Sequence, residues 1–201
     1  MIKMNKAILI SIKPRHLRNI LNGKKILEIR KTMPKCDLPI DVYIYCSKEK
    51  PTAIVTDRGC VVANTLDVGG NSQYKSAYSC SGKVVAKFTL RTIEPICWRY
   101  DFVGEYKYAG TKTITEEIDF LNKSCLCDAE IDDYLKDKKG YVWHIDNLVI
   151  FDEPLLLNEH FYNVPSEATK KWFKENYIGK GVIVQSLIKA PQSWRYVEVD
   201  L

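Results

Sequence analysis

The sequence lacks long hydrophobic runs. No apolar stretch approaches the ~20 residues that a membrane-spanning helix needs, and the two lysines near the N-terminus precede only a short apolar run. That run is shorter than the hydrophobic region of a signal peptide, and no small-residue cleavage site follows it. We therefore expect a cytoplasmic protein without a membrane partner.

Metal-binding and cofactor-binding motifs are lacking as well. The 7 cysteines are scattered without a framework spacing, and Cys125 stands closer to Cys127 than the usual pair of zinc ligands. Such cysteines are typical of free thiols in a reducing compartment. The sequence contains no phosphate-binding glycine loop, dinucleotide fingerprint, nucleophile elbow or metalloprotease helix. It therefore predicts neither a metal nor a cofactor.

The sequence does have enough apolar residues for one core, and its charge is unevenly spread. With 201 residues, of which 46% are hydrophobic, the chain fits a single domain. The net charge is +5, and residues 1–50 hold 12 Lys and Arg against 4 Asp and Glu, whereas the remainder holds 18 against 21. A basic segment of this kind indicates either a phosphate-bearing partner or a solvated basic surface.

Residues 8–30 are the most informative stretch. The apolar run at 8–10 predicts a buried strand, and Pro14 both ends it and suits the start of a helix. Asn22 and Gly23 predict the end of that helix, because both residues tolerate the left-handed conformation. A strand, a short helix and a second strand therefore follow one another closely.

The second of these strands carries three charged candidates. We predict that Ile26 and Ile29 face the core, so that Lys25, Glu28 and Arg30 line a cleft beside the first helix. A lysine next to a carboxylate suits a buried ion pair, a general acid–base pair or a clamp for a polar ligand, and a guanidinium group adds a fork that fits phosphate. The residues alone leave a structural and a functional role open.

The rest of the chain mixes short strands with a few helices. Apolar runs and period-2 alternation predict strands at 42–46, 53–55, 60–63, 83–90, 141–145, 148–151, 182–188 and 194–199. Helical spacing predicts helices at 113–121, 128–137 and 166–177. We expect a loop insertion near 65–82, which is rich in Gly, Ser, Asn and Thr, and a helical insertion near 158–180.

The order Gly23, Lys25, Glu28 and Arg30, after a strand and a short helix, resembles the signature of the ASCH domain, a relative of the PUA fold. Further blocks that resemble bacterial and phage ASCH proteins lie at 43–48, 82–86, 141–145 and 191–198. The resemblance implies one domain over residues 1–201. Its implied class is α+β, a small mixed, mostly antiparallel PUA-like β-barrel with flanking helices.

The resemblance also suggests possible activities. Some ASCH proteins are amidohydrolases that deacetylate acetylated cytidine, and others have been linked to RNA cleavage or RNA binding. The amidohydrolase motif has a lysine that Lys25 matches, a threonine where this chain has Glu28, and a glutamate whose nearest counterpart is Lys87. Two of these three positions, Glu28 and Lys87, differ from the amidohydrolase motif. Lys87 places a positive charge where a general base needs a carboxylate. If the chain is an enzyme, its implied catalytic residues are Lys25 and Glu28.

Other candidate residues lie at strand ends and near the C-terminus. Trp143 is either a platform on which a base stacks or a residue of the core. Gln192 can form hydrogen bonds with the edge of a base, and His144 can titrate near neutral pH. His16 and His160 receive no role. The candidate ligand-binding residues are Ser11, Lys13, Lys25, Glu28, Arg30, Tyr45, Lys48, Trp143, His144, Gln192, Ser193 and Trp194.

The predicted function is the binding of RNA, or of a nucleotide or modified nucleoside, in a cleft between the first helix and the barrel. One alternative is a hydrolase, either a nucleoside amidohydrolase or a ribonuclease. Another is a protein-interaction module that acts through residues 65–82 or the helix containing Trp172 and Phe173. Lys87 in the cleft would favour anion binding, whereas carboxylates other than Glu28 there would favour catalysis. The ligand, catalysis and the oligomeric state stay open.

Overall fold

The computed structural model describes residues 5–64, 77–96, 114–136, 138–166, 171 and 185–200. Its helices are α1 (Pro14–Leu21), α2 (Ile114–Ser124), α3 (Asp128–Leu135) and α4 (Leu157–His160). Its strands are β1 (Asn5–Ile12), β2 (Leu27–Arg30), β3 (Ile40–Cys46), β4 (Thr52–Thr56), β5 (Gly59–Ala63), β6 (Ala77–Ser79), β7 (Val84–Leu90), β8 (Ile93–Ile96), β9 (Gly140–His144), β10 (Asp146–Leu155), β11 (Phe161–Asn163) and β12 (Trp194–Val199).

The described strands form three sheets. The largest has six strands in the order β10-β7-β3-β1-β12-β11, and the smaller sheets have the orders β2-β9-β8 and β5-β4-β6. β1 and β3 pair in parallel, which requires a crossover connection, and α1 and β2 supply it. All other named strand pairs are antiparallel. The predicted mixed, mostly antiparallel α+β class is confirmed, although hydrogen bonds among the described residues do not close a barrel.

The central strand β1 of the six-stranded sheet is buried on both faces. Ile8 and Ile10 of β1 belong to one apolar cluster with α1, whereas Ala7 and Leu9 belong to a second cluster on the other face. A strand that is covered on both sides reads as a continuous apolar run rather than as an alternation. This explains why residues 7–10 are all apolar.

β2 is also buried on both faces, and this corrects one prediction. Ile29 packs in a third apolar cluster with Leu27, but Ile26 precedes the strand and is 41% exposed. Because side chains alternate along a strand, Glu28 and Arg30 point away from that cluster, towards β1. Leu27, rather than Ile26, is therefore the partner of Ile29.

Several other predicted elements have clear outcomes. The helices predicted at 113–121 and 128–137 correspond to α2 and α3. The described part of the strand predicted at 182–188 makes a single bridge, between Ser186 and Tyr162. Residues 65–76 and nearly all of the helix predicted at 166–177 lie outside the described residues, so both insertions stay predictions. None of the described helices has the length and hydropathy of a membrane span.

Candidate functional site

An open groove of about 680 Å³ lies where β1 and β3 end. It brings together four predicted ligand-binding residues from separate parts of the sequence: Ser11, Tyr45, Lys48 and Gln192. The other lining residues are Ser47, Gly82, Leu156, Leu157, Asn158, Leu187, Ile188, Lys189, Ala190 and Pro191. No residue of α1 lines this groove, so it differs from the cleft that the sequence predicted beside the first helix.

Two hydrogen bonds fix one wall of the groove. The Ser11 hydroxyl donates to the carbonyl of Pro191 at 2.6 Å, and the Ser11 amide donates to the carbonyl of Ser193 at 2.8 Å. The segment that contains Gln192 is thereby tied to the end of β1, immediately before the first pairing of β1 with β12. Gln192 itself is exposed, so its amide is available to a ligand.

Gly82 lies against Lys48, the lysine of the β3 end that lines the groove. Gly82 has φ +72°, and a Cβ built on it would lie 2.6 Å from Cε of Lys48 and 3.2 Å from its Cγ. The Lys48 stem therefore lies against the glycine backbone, and a Cβ at this position would displace it. The charged end of Lys48 is exposed at the groove.

Lys25, Glu28 and Arg30 form a buried charge network behind the wall that contains Ser11. The Lys25 Nζ lies 3.3 Å from one Glu28 carboxylate oxygen, and an Arg30 guanidinium nitrogen lies 2.9 Å from the other. All three residues are buried: the exposed fraction is 2% for Lys25, 8% for Glu28 and 6% for Arg30. A ligand in the groove does not reach them without a rearrangement.

The network also holds distant backbone segments together. Lys25 donates to the carbonyl of Ser124 at 2.6 Å, at the C-terminal end of α2, where a cation is favoured by the helix dipole. Arg30 donates to the carbonyl of Ser11 at 2.9 Å and to the hydroxyl of Ser193 at 3.3 Å. Arg30 Nε has no hydrogen-bond partner among the described residues. The network thus supports the Ser11 wall of the groove from within.

The charges around Glu28 decide its protonation state. Burial alone would raise the pKa of Glu28, but Lys25 and then Arg30 attract the carboxylate and hold its pKa below the ordinary value. Glu28 is therefore ionised at neutral pH, and the triad carries a net positive charge.

His16 is a neighbour of this network that the sequence did not reveal. Burial lowers its pKa to about 4, with Glu28 opposing the shift and Lys25 adding to it. Its Nε2 accepts a hydrogen bond from Arg15 at 3.1 Å, which fits a neutral ring. The only indication in the sequence that His16 lies near these charges was its place on α1, next to the predicted cleft.

The predicted tryptophans pack on each other. Trp143 has no exposed surface, and its ring centroid lies 5.5 Å from that of Trp194. The Trp194 ring is partly exposed and donates from Nε1 to the hydroxyl of Thr32 at 3.0 Å. Trp143 is therefore a core residue in this structure, and Trp194 is the ring of the pair that solvent reaches.

Three other residues lie apart from the groove. Lys13 is exposed, 3.8 Å from Glu49, and His144 lies 3.6 Å from Glu94. Lys87 forms an ion pair with Asp41 in a different pocket, so it enters neither the groove nor the buried network. No group of three His, Cys, Asp or Glu residues suited to a metal occurs in the described part of the chain.

Comparisons with known proteins gave structural matches only. No protein-family model and no curated protein matches the sequence. The structure is similar to the crystal structure of ASCH from Zymomonas mobilis, with a TM-score of 0.49 and 15% identity, over 94% of this chain and 86% of that chain. A serine-to-alanine mutant of that protein is similar with a TM-score of 0.49 and 15% identity, over 94% of this chain and 87% of that chain. A tyrosine-to-phenylalanine mutant is similar with a TM-score of 0.44 and 14% identity, over 96% of this chain and 90% of that chain. These three solved structures are of an ASCH protein, and ASCH is the family that the ordered sequence blocks of this chain resemble.

Proposed function

We propose that this chain binds RNA or a nucleotide-like ligand in the groove at the ends of β1 and β3. The observation that carries the proposal is the meeting of Ser11, Tyr45, Lys48 and Gln192, which come from three separate sequence segments, around one open space of about 680 Å³. Pockets of this size are typical of small-ligand sites.

The charge of the groove favours an anionic ligand. Lys48 and Lys189 are exposed, and the lining residues include no Asp or Glu. The two lysines can both contact phosphate, and phosphate contacts dominate the affinity of nucleic-acid-binding proteins. The basic excess of residues 1–50 adds a favourable long-range field.

The remaining walls suit a nucleobase. Leu156 and Ile188, which both line the groove, are 41% and 88% exposed and offer apolar surface to the face of a base. Gln192 provides an amide that can donate and accept at a base edge. Because Trp143 is buried, base stacking on this ring does not form part of the proposal.

The hydrolase alternative receives less support from the geometry. A general base must come within hydrogen-bond distance of the substrate, whereas Glu28 is buried and already contacts two cations. The protein-interaction alternative rests on residues 65–82 and on Trp172 and Phe173. Residues 65–76 and both aromatic residues lie outside the described residues.

The test measures binding of a fluorescein-labelled single-stranded 12-mer RNA and of mononucleotides to the full chain, over a series of salt concentrations. We expect binding at low salt that weakens as salt rises. Lys48→Ala with Lys189→Ala is expected to reduce the salt slope for the RNA by about 0.7 for each lysine, because fewer counterions are released. Lys139→Ala, which removes an exposed lysine that does not line the groove, is the matched control.

Two results would contradict the proposal. One is the absence of binding by the RNA and by every mononucleotide at low salt. The other is an equal loss of affinity in Lys139→Ala and in the double variant, which would indicate a diffuse charge effect rather than a site in the groove.

A further inference from the structure

A second pocket, of about 520 Å³, opens at the other end of β1 and β3. We call it the Tyr43 pocket, and its lining residues are Asn5, Lys6, Ala7, Pro39, Ile40, Asp41, Tyr43, Lys87, Phe151 and Val199. It shares no lining residue with the groove. Tyr43 and Tyr45 are two residues apart on β3, so both pockets open on the same face of the six-stranded sheet.

One side of the Tyr43 pocket is apolar. Ala7, Tyr43 and Val199 belong to the apolar cluster on this face of the sheet, and each is almost fully buried. The half-buried ring of Phe151 lies 6.3 Å from the Tyr43 ring, at an interplanar angle of 38°. These side chains form a floor and a wall that suit an aliphatic or aromatic group.

The other side carries one cation and one anion. Lys87 pairs directly with Tyr43 in the β3–β7 ladder, and Asp41 lies two residues before Tyr43, so all three point to this face. The Lys87 Nζ lies 2.8 Å from a carboxylate oxygen of Asp41, and the two side chains are 34% and 40% exposed. An ion pair so accessible to water is weak, and a ligand can separate it at little cost.

The neighbouring lysine is directed elsewhere. Lys6 also lines the pocket, but its Nζ lies 4.6 Å from the centroid of the Tyr196 ring. The charged groups directed to the Tyr43 pocket therefore sum to zero, in contrast to the groove with its two lysines. A polyanion such as a nucleotide would meet the carboxylate of Asp41, so this pocket does not suit a nucleotide.

We propose that the Tyr43 pocket binds a free α-amino acid with an apolar side chain. Such a ligand carries a carboxylate and an ammonium group on one carbon. By entering between Lys87 and Asp41, it replaces one ion pair with two, because its carboxylate meets the lysine and its ammonium group meets the aspartate. Its side chain covers the half-buried ring of Phe151 and removes apolar surface from water.

Isothermal titration of the full chain with L-phenylalanine and L-leucine tests this proposal. N-acetyl-L-phenylalanine lacks the ammonium group and L-phenylalanine amide lacks the carboxylate, so we expect each to bind more weakly than L-phenylalanine, by up to about fivefold. Lys87→Ala and Asp41→Asn are each expected to weaken L-phenylalanine by a similar factor. Lys48→Ala, in the groove, should leave its affinity unchanged.

A charge exchange separates binding from folding. Lys87→Asp combined with Asp41→Lys keeps an ion pair on the sheet but reverses its direction, so the chain should remain folded and bind L-phenylalanine more weakly. The proposal is overturned if neither amino acid binds the wild-type chain. It is also overturned if the two blocked analogues bind as tightly as L-phenylalanine, or if the exchanged variant keeps full affinity.

Discussion

Replacing Glu28 with glutamine tests the structural role of the buried charge network most directly. The change leaves Lys25 and Arg30 in place, each almost fully buried and each without its counter-ion. Removing one partner of a buried ion pair costs about 3–5 kcal/mol, because the charge left behind is neither solvated nor paired. A domain with a typical free energy of unfolding of about 5–15 kcal/mol would lose a large part of its stability.

Urea denaturation followed by tryptophan fluorescence measures this loss, because Trp143 lies in the core and Trp194 packs against it. With an m-value of about 2 kcal/mol/M, a loss of about 4 kcal/mol moves the midpoint down by about 2 M urea. Asp119→Asn is the matched control. It makes the same carboxylate-to-amide change in the Asp119–Lys123 pair, whose side chains are 56% and 46% exposed, and should cost less than about 1 kcal/mol.

A small effect would refute the reasoning. If Glu28→Gln costs less than about 1 kcal/mol, the two cations are compensated by water or by another group, and the network is not the closed structural unit that we infer.

The same variant separates the proposed functions. Product formed from acetylated cytidine or single-stranded RNA by the wild-type chain, and lost in a stable Glu28→Gln variant, would favour the hydrolase.

Two further predictions concern Gly82 and His16. Gly82→Ala and Gly23→Ala both place alanine at a φ near +70°, which costs about 1–2 kcal/mol, but only the Gly82 position has the Lys48 side chain in the way. We therefore expect both variants to be destabilised in urea, and only Gly82→Ala to weaken mononucleotide binding; equal weakening by Gly23→Ala would contradict the positioning of Lys48. The pKa of His16 is lowered from 6.5 to about 4 in the fold, so the unfolded chain takes up the proton first. The free energy of unfolding should therefore fall as the pH drops from about 6.5 towards about 4. His16→Gln should remove that part of the loss. If the variant and the wild-type chain lose stability equally over this pH range, the His16 ring is not held neutral in the fold.

The sequence was a good guide wherever local rules control the structure. Pro14 and Gly23 marked the limits of α1 because backbone restriction at proline and freedom at glycine act within a few residues. The apolar run at residues 8–10 predicted a buried strand because cover on both faces removes the alternation. These effects need no knowledge of distant partners.

The sequence was a poorer guide to the surroundings of single side chains. Ile26 is apolar but exposed, and Trp143 is fully buried although its aromatic ring suits a binding surface equally well. For His16 the sequence indicated only its place on α1, yet its pKa depends on burial, on Glu28 of β2 and on Lys25, which precedes that strand. Burial and pKa depend on what packs against a residue, and that is set by segments remote in the chain.

The sequence by itself determined the α+β class, the first strand and helix, and the set of charged and polar residues from which the candidate site is built. Only the tertiary structure decided how that set divides. Lys25, Glu28 and Arg30 became a buried brace because α2, about 90 residues later, covers Lys25, and because the Ser11 and Ser193 segments cover Arg30. Lys48 and Gln192 stayed exposed and share a groove. Sequence spacing gives the chemistry that is available, but desolvation and pairing, which decide between structure and binding, depend on contacts between distant segments.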